Sequence, residues 1–253
     1  MTGCNCFCIS FSGRWRLLFL VWLVSNLKLP CYGKRIVHQF WQLAVSHRDV
    51  AGKAIGLAVS DKPEGPFKDA LGAALITHDM LPPTTNEKAN LDPYVLIDHH
   101  GQAYIFWGNQ QCYSAKLKPD LCSLDGPISI IDLPGFSEGA HIHERNGWYY
   151  LSYGYGYPEK VGYAMSRHPA GPWEFVGILN EIPGNCATNR PAIIQFNGQD
   201  YFIYHNGALE KGGSHRRSVC IDRLFYNEDG TMRPVVMTSK GVSPGTTFYT
   251  GSA

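Results

Sequence analysis

Acidic residues are absent from the first 48 positions of the chain, although six basic residues lie there. The rest of the chain has 16 basic and 21 acidic residues, so the net charge of +1 combines a basic start with a mildly acidic body. Charged residues make up only 17% of the sequence and aromatic residues 13%. This balance gives no indication of a nucleic-acid partner, and an aromatic, mildly acidic body suits a neutral sugar ligand.

Two further patterns are missing. None of the eight cysteines forms a C-x-x-C pair, so the spacing typical of zinc ligands does not occur. Long stretches of helical periodicity do not occur either, which excludes a helical bundle. The apolar run in RWRLLFLVWLV (14–24) is too short to span a bilayer comfortably.

That run follows two arginines and resembles a signal peptide or signal anchor, although no A-x-A cleavage pattern follows it. A buried strand and a sequence foreign to the domain are the alternatives. We therefore predict an extracellular, secreted protein with no membrane contact beyond this segment.

A repeat is the strongest positive signal. DHHGQAYIFWG (98–108), ERNGWYYLSYG (144–154) and QFNGQDYFIYH (195–205) each place a glycine turn before a tyrosine-rich apolar strand. The turn glycines are 46 and 51 residues apart. A hairpin that recurs at this period predicts the blades of a β-propeller.

A second repeat runs out of phase with the first. AIGLAVSDKPEGPF (54–67) matches VGYAMSRHPAGPW (161–173), as the third strand of a blade that leads to its outer edge. We predict an all-β, five-bladed propeller type with four recognisable blades, at 31–67, 90–133, 136–179 and 187–236, and with the first blade missing or replaced. The domain spans 31–242, after an atypical segment 1–30 and before a flexible tail 243–253.

Two carboxylates stand at equivalent places in neighbouring blades. Asp92 and Glu138 lie 46 residues apart, each shortly before the first strand of its blade. Strand starts face the central cavity of a propeller, so both side chains should converge there. Paired carboxylates can protonate a leaving oxygen and adjust each other's pKa, as glycosidic cleavage requires. A turn cap at Asp92 and a surface ion pair at Glu138 are the alternatives.

The motifs LDPYVLIDHHGQAYIFWG, SEGAHIHERNGWYYLSY and RRSVCIDRLFYNEDGTMRPV, together with 54–69, resemble glycoside hydrolase family 43 in their order. The resemblance covers about residues 52–242. It implies a five-bladed propeller acting on arabinose- and xylose-containing polysaccharides with inversion of the anomeric centre. It also implies that Glu138 is the general acid, that Asp92 raises the pKa of this acid, and that a separate Asp is the general base.

The chain departs from the family pattern in two places. The family's base lies in the first blade, but the first acidic residue here is Asp49, in the loop HRDVAGK. We therefore expect little or no hydrolysis by this chain. The family also implies an axial calcium ion or water held by a histidine of the last blade. The matching stretch, CATNRPAII, has Asn189 and Arg190 and no histidine, so we predict no metal and no cofactor.

Five further residues are predicted to bind substrate. His141 and Arg217 are candidates for hydrogen bonds to sugar hydroxyls, and the resemblance implies that Arg217 points into the cavity. Trp107, Tyr153 and Phe136 are candidates for stacking on sugar rings, although most aromatic residues of a blade belong to its core. The expected partner is an oligo- or polysaccharide, and the expected state is a monomer.

Two alternatives remain open. A non-catalytic propeller that binds carbohydrate would keep the aromatic cavity without the chemistry. A hydrolase acting on fructosides or sialosides is disfavoured, because Gly139 follows Glu138 where fructoside enzymes have a cysteine, and no arginine cluster is evident.

Overall fold

The computed structural model describes residues 53–60 and 65–242, together with the backbone of two strands at 17–23 and 37–43. Within these residues the chain forms 15 β-strands and one short 3-10 helix, His78–Met80. No helix in this part of the chain is long and apolar enough to cross a membrane. The all-β prediction is confirmed.

The described strands form four antiparallel sheets, each made from consecutive strands. The first sheet contains β1 (Leu17–Leu23), β2 (Val37–Leu43), β3 (Ala54–Ser60) and β4 (Lys68–Asp69). The second contains β5 (Tyr94–Ile97), β6 (Ala103–Gly108), β7 (Cys112–Leu117) and β8 (Ser129–Ile131). The third contains β9 (His141–Arg145), β10 (Trp148–Tyr155), β11 (Lys160–Ser166) and β12 (Glu174–Asn180). The fourth contains β13 (Ala192–Phe196), β14 (Gln199–Asn206) and β15 (Ser218–Leu224). These sheets correspond to the four predicted blades, but the first sheet extends beyond its predicted range of 31–67, because it also contains β1 and β4.

The glycine turns lie where the repeat predicts them. Gly101, Gly147 and Gly198 each sit between the first and second strands of a blade, with φ of +83°, +72° and +77°. These values lie in the left-handed region, which residues with a Cβ adopt only at a cost. The second repeat is also confirmed, because β3 and β11 are both third strands of their sheets.

The strand β1 lies inside the segment that was predicted to be atypical. It pairs antiparallel with β2, and β2 pairs with β3 from Val37 opposite Ser60 to Leu43 opposite Ala54. A strand at Leu17–Leu23 agrees with the strand alternative for this apolar run. The predictions for Asp49 and for the tail at 243–253 lie outside the described residues.

Successive residues of β10 alternate between two layers of core. Tyr149, Leu151 and Tyr153 pack in the cluster shared with the second sheet. Tyr150 packs in the cluster shared with the fourth sheet, against Phe202 among others. Because side chains of a strand point alternately to opposite faces, a strand between two sheets is apolar throughout. The sheets therefore stack face to face, and the starts of their first strands are left to line a common cavity.

Candidate active site

The segments that precede β5, β9 and β13 meet around a cavity of about 1020 Å³. Four carboxylic acids and four cationic side chains line it. They are Glu87, Asp92, Glu138 and Glu159, and Lys53, Lys88, Arg190 and Arg217. The cavity is large enough for a sugar of several rings, and its charges offer both proton donors and groups that stabilise them.

Glu138 lies at the wall of this cavity, three residues before β9. Its backbone is fixed, because Gly154 N–H donates to its carbonyl at 2.9 Å. Its carboxyl is oriented by Asn109, whose Nδ2 lies 3.1 Å from Oε2. Burial raises the pKa of Glu138, and the negative charge of Asp92 raises it further. Arg190, Asn109 and Lys53 oppose this rise, so Glu138 is an acid whose proton is retained beyond its ordinary range.

Asp92 lies on the same cavity and is only 7% exposed. Its φ of +54° is unusual for a residue with a Cβ. Such strain is found where the surrounding structure holds a functional group in place. The Arg190 guanidinium pairs with it, at 2.5 Å between Nη1 and Oδ2. The structure thus brings together both carboxylates that the sequence paired.

The surroundings of Asp92 bear on the prediction that the chain holds no axial metal ion. The stretch CATNRPAII, where the family resemblance implies a histidine, has Arg190, whose guanidinium pairs with Asp92. The histidine of the last blade that lines the cavity is His205. A divalent cation beside this guanidinium would meet like charge at close range. Among the residues that the structure describes, no group of three His, Cys, Asp or Glu side chains could hold a metal.

Glu159 is a third carboxylate, which the sequence analysis missed. It lies just before β11 and is 2% exposed. Burial raises its pKa to about 7, although hydrogen bonds from Ser137 and from the Asn189 backbone lower it. Its contacts join segments that are far apart in sequence, so no local motif predicts them.

Phe136 and Arg217, two of the residues predicted to bind substrate, both line the cavity. Phe136 is 7% exposed and packs its ring against Tyr153. Arg217 is exposed, and its Nε donates a hydrogen bond to the Ser214 carbonyl. This contact within the loop orients the guanidinium.

His141 does not line the cavity. It is 3% exposed, and its Nε2 accepts a hydrogen bond from the Ile193 N–H at 2.9 Å. Burial, helped by the charge of Arg190, lowers its pKa to about 3, so the ring is neutral. It ties β9 to β13, which is a structural position rather than the substrate contact that the sequence predicted.

Trp107 and Tyr153 also lie in the core rather than on the cavity. Both side chains are fully buried. Trp107 donates from Nε1 to Asn90 Oδ1 at 2.9 Å, and the Tyr153 hydroxyl donates to the Pro134 carbonyl. Strand alternation points each ring between two sheets, so the prediction that they stack on sugar is not supported by their placement.

Three cavity residues were not singled out from the sequence as binding residues. Tyr157 is 77% exposed at the cavity rim, in the loop between β10 and β11. His205 also lines the cavity, and burial, together with the charge of Arg217, lowers its pKa to about 4. Lys53 lines it too, and burial lowers its pKa. The aromatic-rich run YGYGYP was the only local signal for any of them.

The fold and the cavity define the class, a β-propeller that gathers carboxylates at the starts of its blades. Within this class, the chain belongs to the glycosyl hydrolases family 43, whose family model matches residues 34–232. This membership confirms the resemblance drawn from the motifs around Asp92 and Glu138.

Curated relatives carry names of enzymes that act on arabinoxylan. An arabinoxylan arabinofuranohydrolase of Paenibacillus polymyxa is 29% identical and covers 80% of this chain, and one of Bacillus subtilis is 30% identical and covers 76%. The matches span only 39% and 44% of those proteins. The structure of an α-L-arabinofuranosidase from Clostridium thermocellum is 32% identical with a TM-score of 0.71, over 89% of this chain and 74% of that one.

Proposed function

We propose that this chain is a glycosidase of the α-L-arabinofuranosidase or β-xylosidase type, with arabinose- or xylose-containing plant polysaccharide as its substrate. The observation that carries the proposal is the placement of Glu138 and Asp92 on one cavity, with the charge of Asp92 helping to raise the pKa of Glu138. Family membership and the names of the relatives support the substrate class.

The two carboxylates would divide the work. Glu138 donates its proton to the glycosidic oxygen as the bond to the anomeric carbon breaks. Asp92, held by Arg190, keeps a negative charge near Glu138, so that its proton is retained until the leaving group needs it. Phe136 and Arg217 would provide an apolar surface and hydrogen-bond donors for the sugar.

Inversion also requires a carboxylate that activates water on the opposite face of the sugar. The family resemblance implies that this base lies early in the chain, and residues 1–48 contain no Asp or Glu. The same fact favours a second candidate, a propeller that binds such sugars without cleaving them. We expect the acid half of the mechanism to be intact and hydrolysis by water to be slow.

Aryl α-L-arabinofuranosides and β-xylosides test this proposal, with and without azide. Azide can attack the anomeric carbon without a general base: a carbon–nitrogen bond forms, the carbon–oxygen bond breaks, and Glu138 gives its proton to the leaving oxygen. We expect azide to increase turnover and to yield a glycosyl azide of inverted configuration. Binding of arabinoxylan oligosaccharides without turnover in either condition would establish the second candidate instead.

Glu138→Gln is the matched variant. It should lose at least 100-fold in turnover of substrates whose leaving groups need protonation, because a glutamine cannot donate that proton. Glu174→Gln is the control, since Glu174 is exposed on β12 of the same blade. Equal activity of the two variants would contradict the role of Glu138.

A further inference from the structure

Glu159 lies in the wall of the cavity and joins three segments there. Its Oε1 accepts a hydrogen bond from Ser137 Oγ at 2.6 Å, and its Oε2 accepts one from the Asn189 N–H at 2.9 Å. A Cβ on Gly154 would lie 2.9 Å from Oε2, so the glycine makes room for the carboxyl. Both oxygens are therefore engaged by protein, and the residue is 2% exposed.

The residues that Glu159 holds directly precede the two groups that matter most in the cavity. Ser137 precedes Glu138, and Asn189 precedes Arg190. Arg190 in turn pairs with Asp92. The buried carboxyl of Glu159 is thus connected to Glu138 through Ser137, and to Arg190 through Asn189.

We propose that Glu159 is a positioning residue that sets the placement of Glu138 and Arg190 through its hydrogen bonds to Ser137 and Asn189. This inference rests on the proposed function, because it assigns Glu138 as the acid. The role of Glu159 is positioning and not contact with substrate, because each of its oxygens already accepts a hydrogen bond from the protein and the residue is only 2% exposed where it meets the cavity.

The hydrogen bonds survive a change in protonation. An ionised Glu159 accepts from the Ser137 hydroxyl, and a protonated one donates to it, because a hydroxyl can do both. Glutamine can make the same pair of contacts, with Oε1 accepting from Asn189 N–H and Nε2 donating to Ser137 Oγ. Alanine makes neither contact. Comparing Glu159→Gln with Glu159→Ala therefore separates the effect of the hydrogen bonds from the effect of the carboxylate charge.

Leaving-group dependence distinguishes positioning from a general loss of structure. With an aryl glycoside whose leaving group needs a proton, turnover by Glu159→Ala, measured with azide present, should fall about 10- to 100-fold, in keeping with the cost of a misplaced catalytic group. With a dinitrophenyl glycoside, which leaves without protonation, we expect a change of less than about threefold. Glu159→Gln should stay close to the wild type on both substrates, and so should Glu174→Gln. Equal losses on both substrates in Glu159→Ala would overturn the proposal.

A carboxyl titration followed by ¹³C NMR tests the same inference without turnover. Glu138 is assigned by its missing signal in Glu138→Gln. We expect Glu159→Ala to move the pKa of Glu138 toward its ordinary value, because the acid is no longer held in its buried setting, and Glu159→Gln to leave it in place. An unchanged Glu138 titration in folded Glu159→Ala would refute the positioning role. Absence of turnover by the wild type, with a shifted titration, would refute the proposed function alone.

Discussion

Arg190 and Asp92 form an ion pair across the cavity, with 2.5 Å between Nη1 and Oδ2, and so connect the starts of the second and fourth blades. The pair is well shielded, since the Asp92 side chain is 9% exposed and that of Arg190 28%. Removing one partner of such a pair leaves a poorly solvated charge on the other. The Arg190 side chain also passes Gly139, just before the third blade: its Cγ lies 3.6 Å and its Nη1 3.9 Å from the position that a Cβ on this glycine would take.

Arg190→Met should therefore change the pH dependence of catalysis. Arg190 lowers the pKa of Glu138, and without it Asp92 acts on Glu138 unopposed by that charge. The pKa of Glu138 should rise, and since a general acid fails when it loses its proton, the alkaline limb of the kcat/KM profile should move to higher pH. Arg190→Lys keeps the charge and should leave this limb nearly in place. An unmoved limb in Arg190→Met would contradict the coupling.

Calcium should have no specific effect on this chain. The guanidinium already supplies the positive charge beside Asp92, and a divalent ion would be repelled by it. We expect the Tm to be the same, within error, in chelator and in millimolar calcium, with magnesium as the control for ionic strength. A saturable rise in Tm that calcium produces and magnesium does not would show that the residues accept a metal after all.

The stability of the fold should depend on the protonation of Glu159. Burial raises the pKa of Glu159 in the folded state to about 7, from its ordinary value of 4.5, so the folded protein binds this proton more tightly than the unfolded chain. The bound proton of Glu159 therefore adds roughly 3 kcal/mol to the free energy of unfolding. This stabilisation is fully present below about pH 4.5 and is lost as the pH rises to about 7. Glu159→Gln removes this titration.

Denaturant unfolding of both proteins at several pH values measures the effect. The free energy of unfolding of the wild type, minus that of Glu159→Gln, should decrease between pH 4.5 and pH 7.5. Taking the difference cancels the other titrating groups, because they are shared. A difference that stays constant across this range would show that Glu159 has an ordinary pKa.

Local sequence was enough to predict the blades and the paired carboxylates. The turns at Gly101, Gly147 and Gly198 are determined by residues adjacent in sequence. Equivalent positions of a repeat face the same central cavity, whatever the details of packing. The 46-residue spacing of Asp92 and Glu138 therefore sufficed to bring them to one cavity.

Contacts between distant segments could not be predicted in this way. Glu159 owes its setting to Ser137 and Asn189, which lie 22 and 30 residues away. The placement of His141 likewise depends on an amide 52 residues further along the chain. The sequence of a strand shows which aromatic residues share a face, but not whether that face packs against a neighbouring sheet. Trp107 and Tyr153 could therefore not be distinguished from residues that line the cavity.

Trp107→Phe tests the assignment of Trp107 to the core. The phenyl ring cannot donate to Asn90, whose Oδ1 then loses its partner in a residue with no exposed surface. An unsatisfied buried acceptor costs about 1–3 kcal/mol, so the free energy of unfolding should fall by this amount. The KM for aryl glycosides should not change. A raised KM at unchanged stability would return Trp107 to the substrate site.

Tyr157 offers the opposite case, because its side chain is 77% exposed and lies at the rim of the cavity. An exposed aromatic ring beside a sugar cavity can stack on a pyranose or furanose face. We expect Tyr157→Ala to weaken binding of arabinoxylan oligosaccharides about 5- to 20-fold, the equivalent of roughly 1–2 kcal/mol, in isothermal titration calorimetry. Tyr157→Phe should bind like the wild type, since the ring is retained, and neither variant should alter the Tm. If Tyr157→Ala binds as tightly as the wild type, the rim tyrosine is not part of the sugar site, and Phe136 is the remaining candidate from the sequence for an aromatic contact.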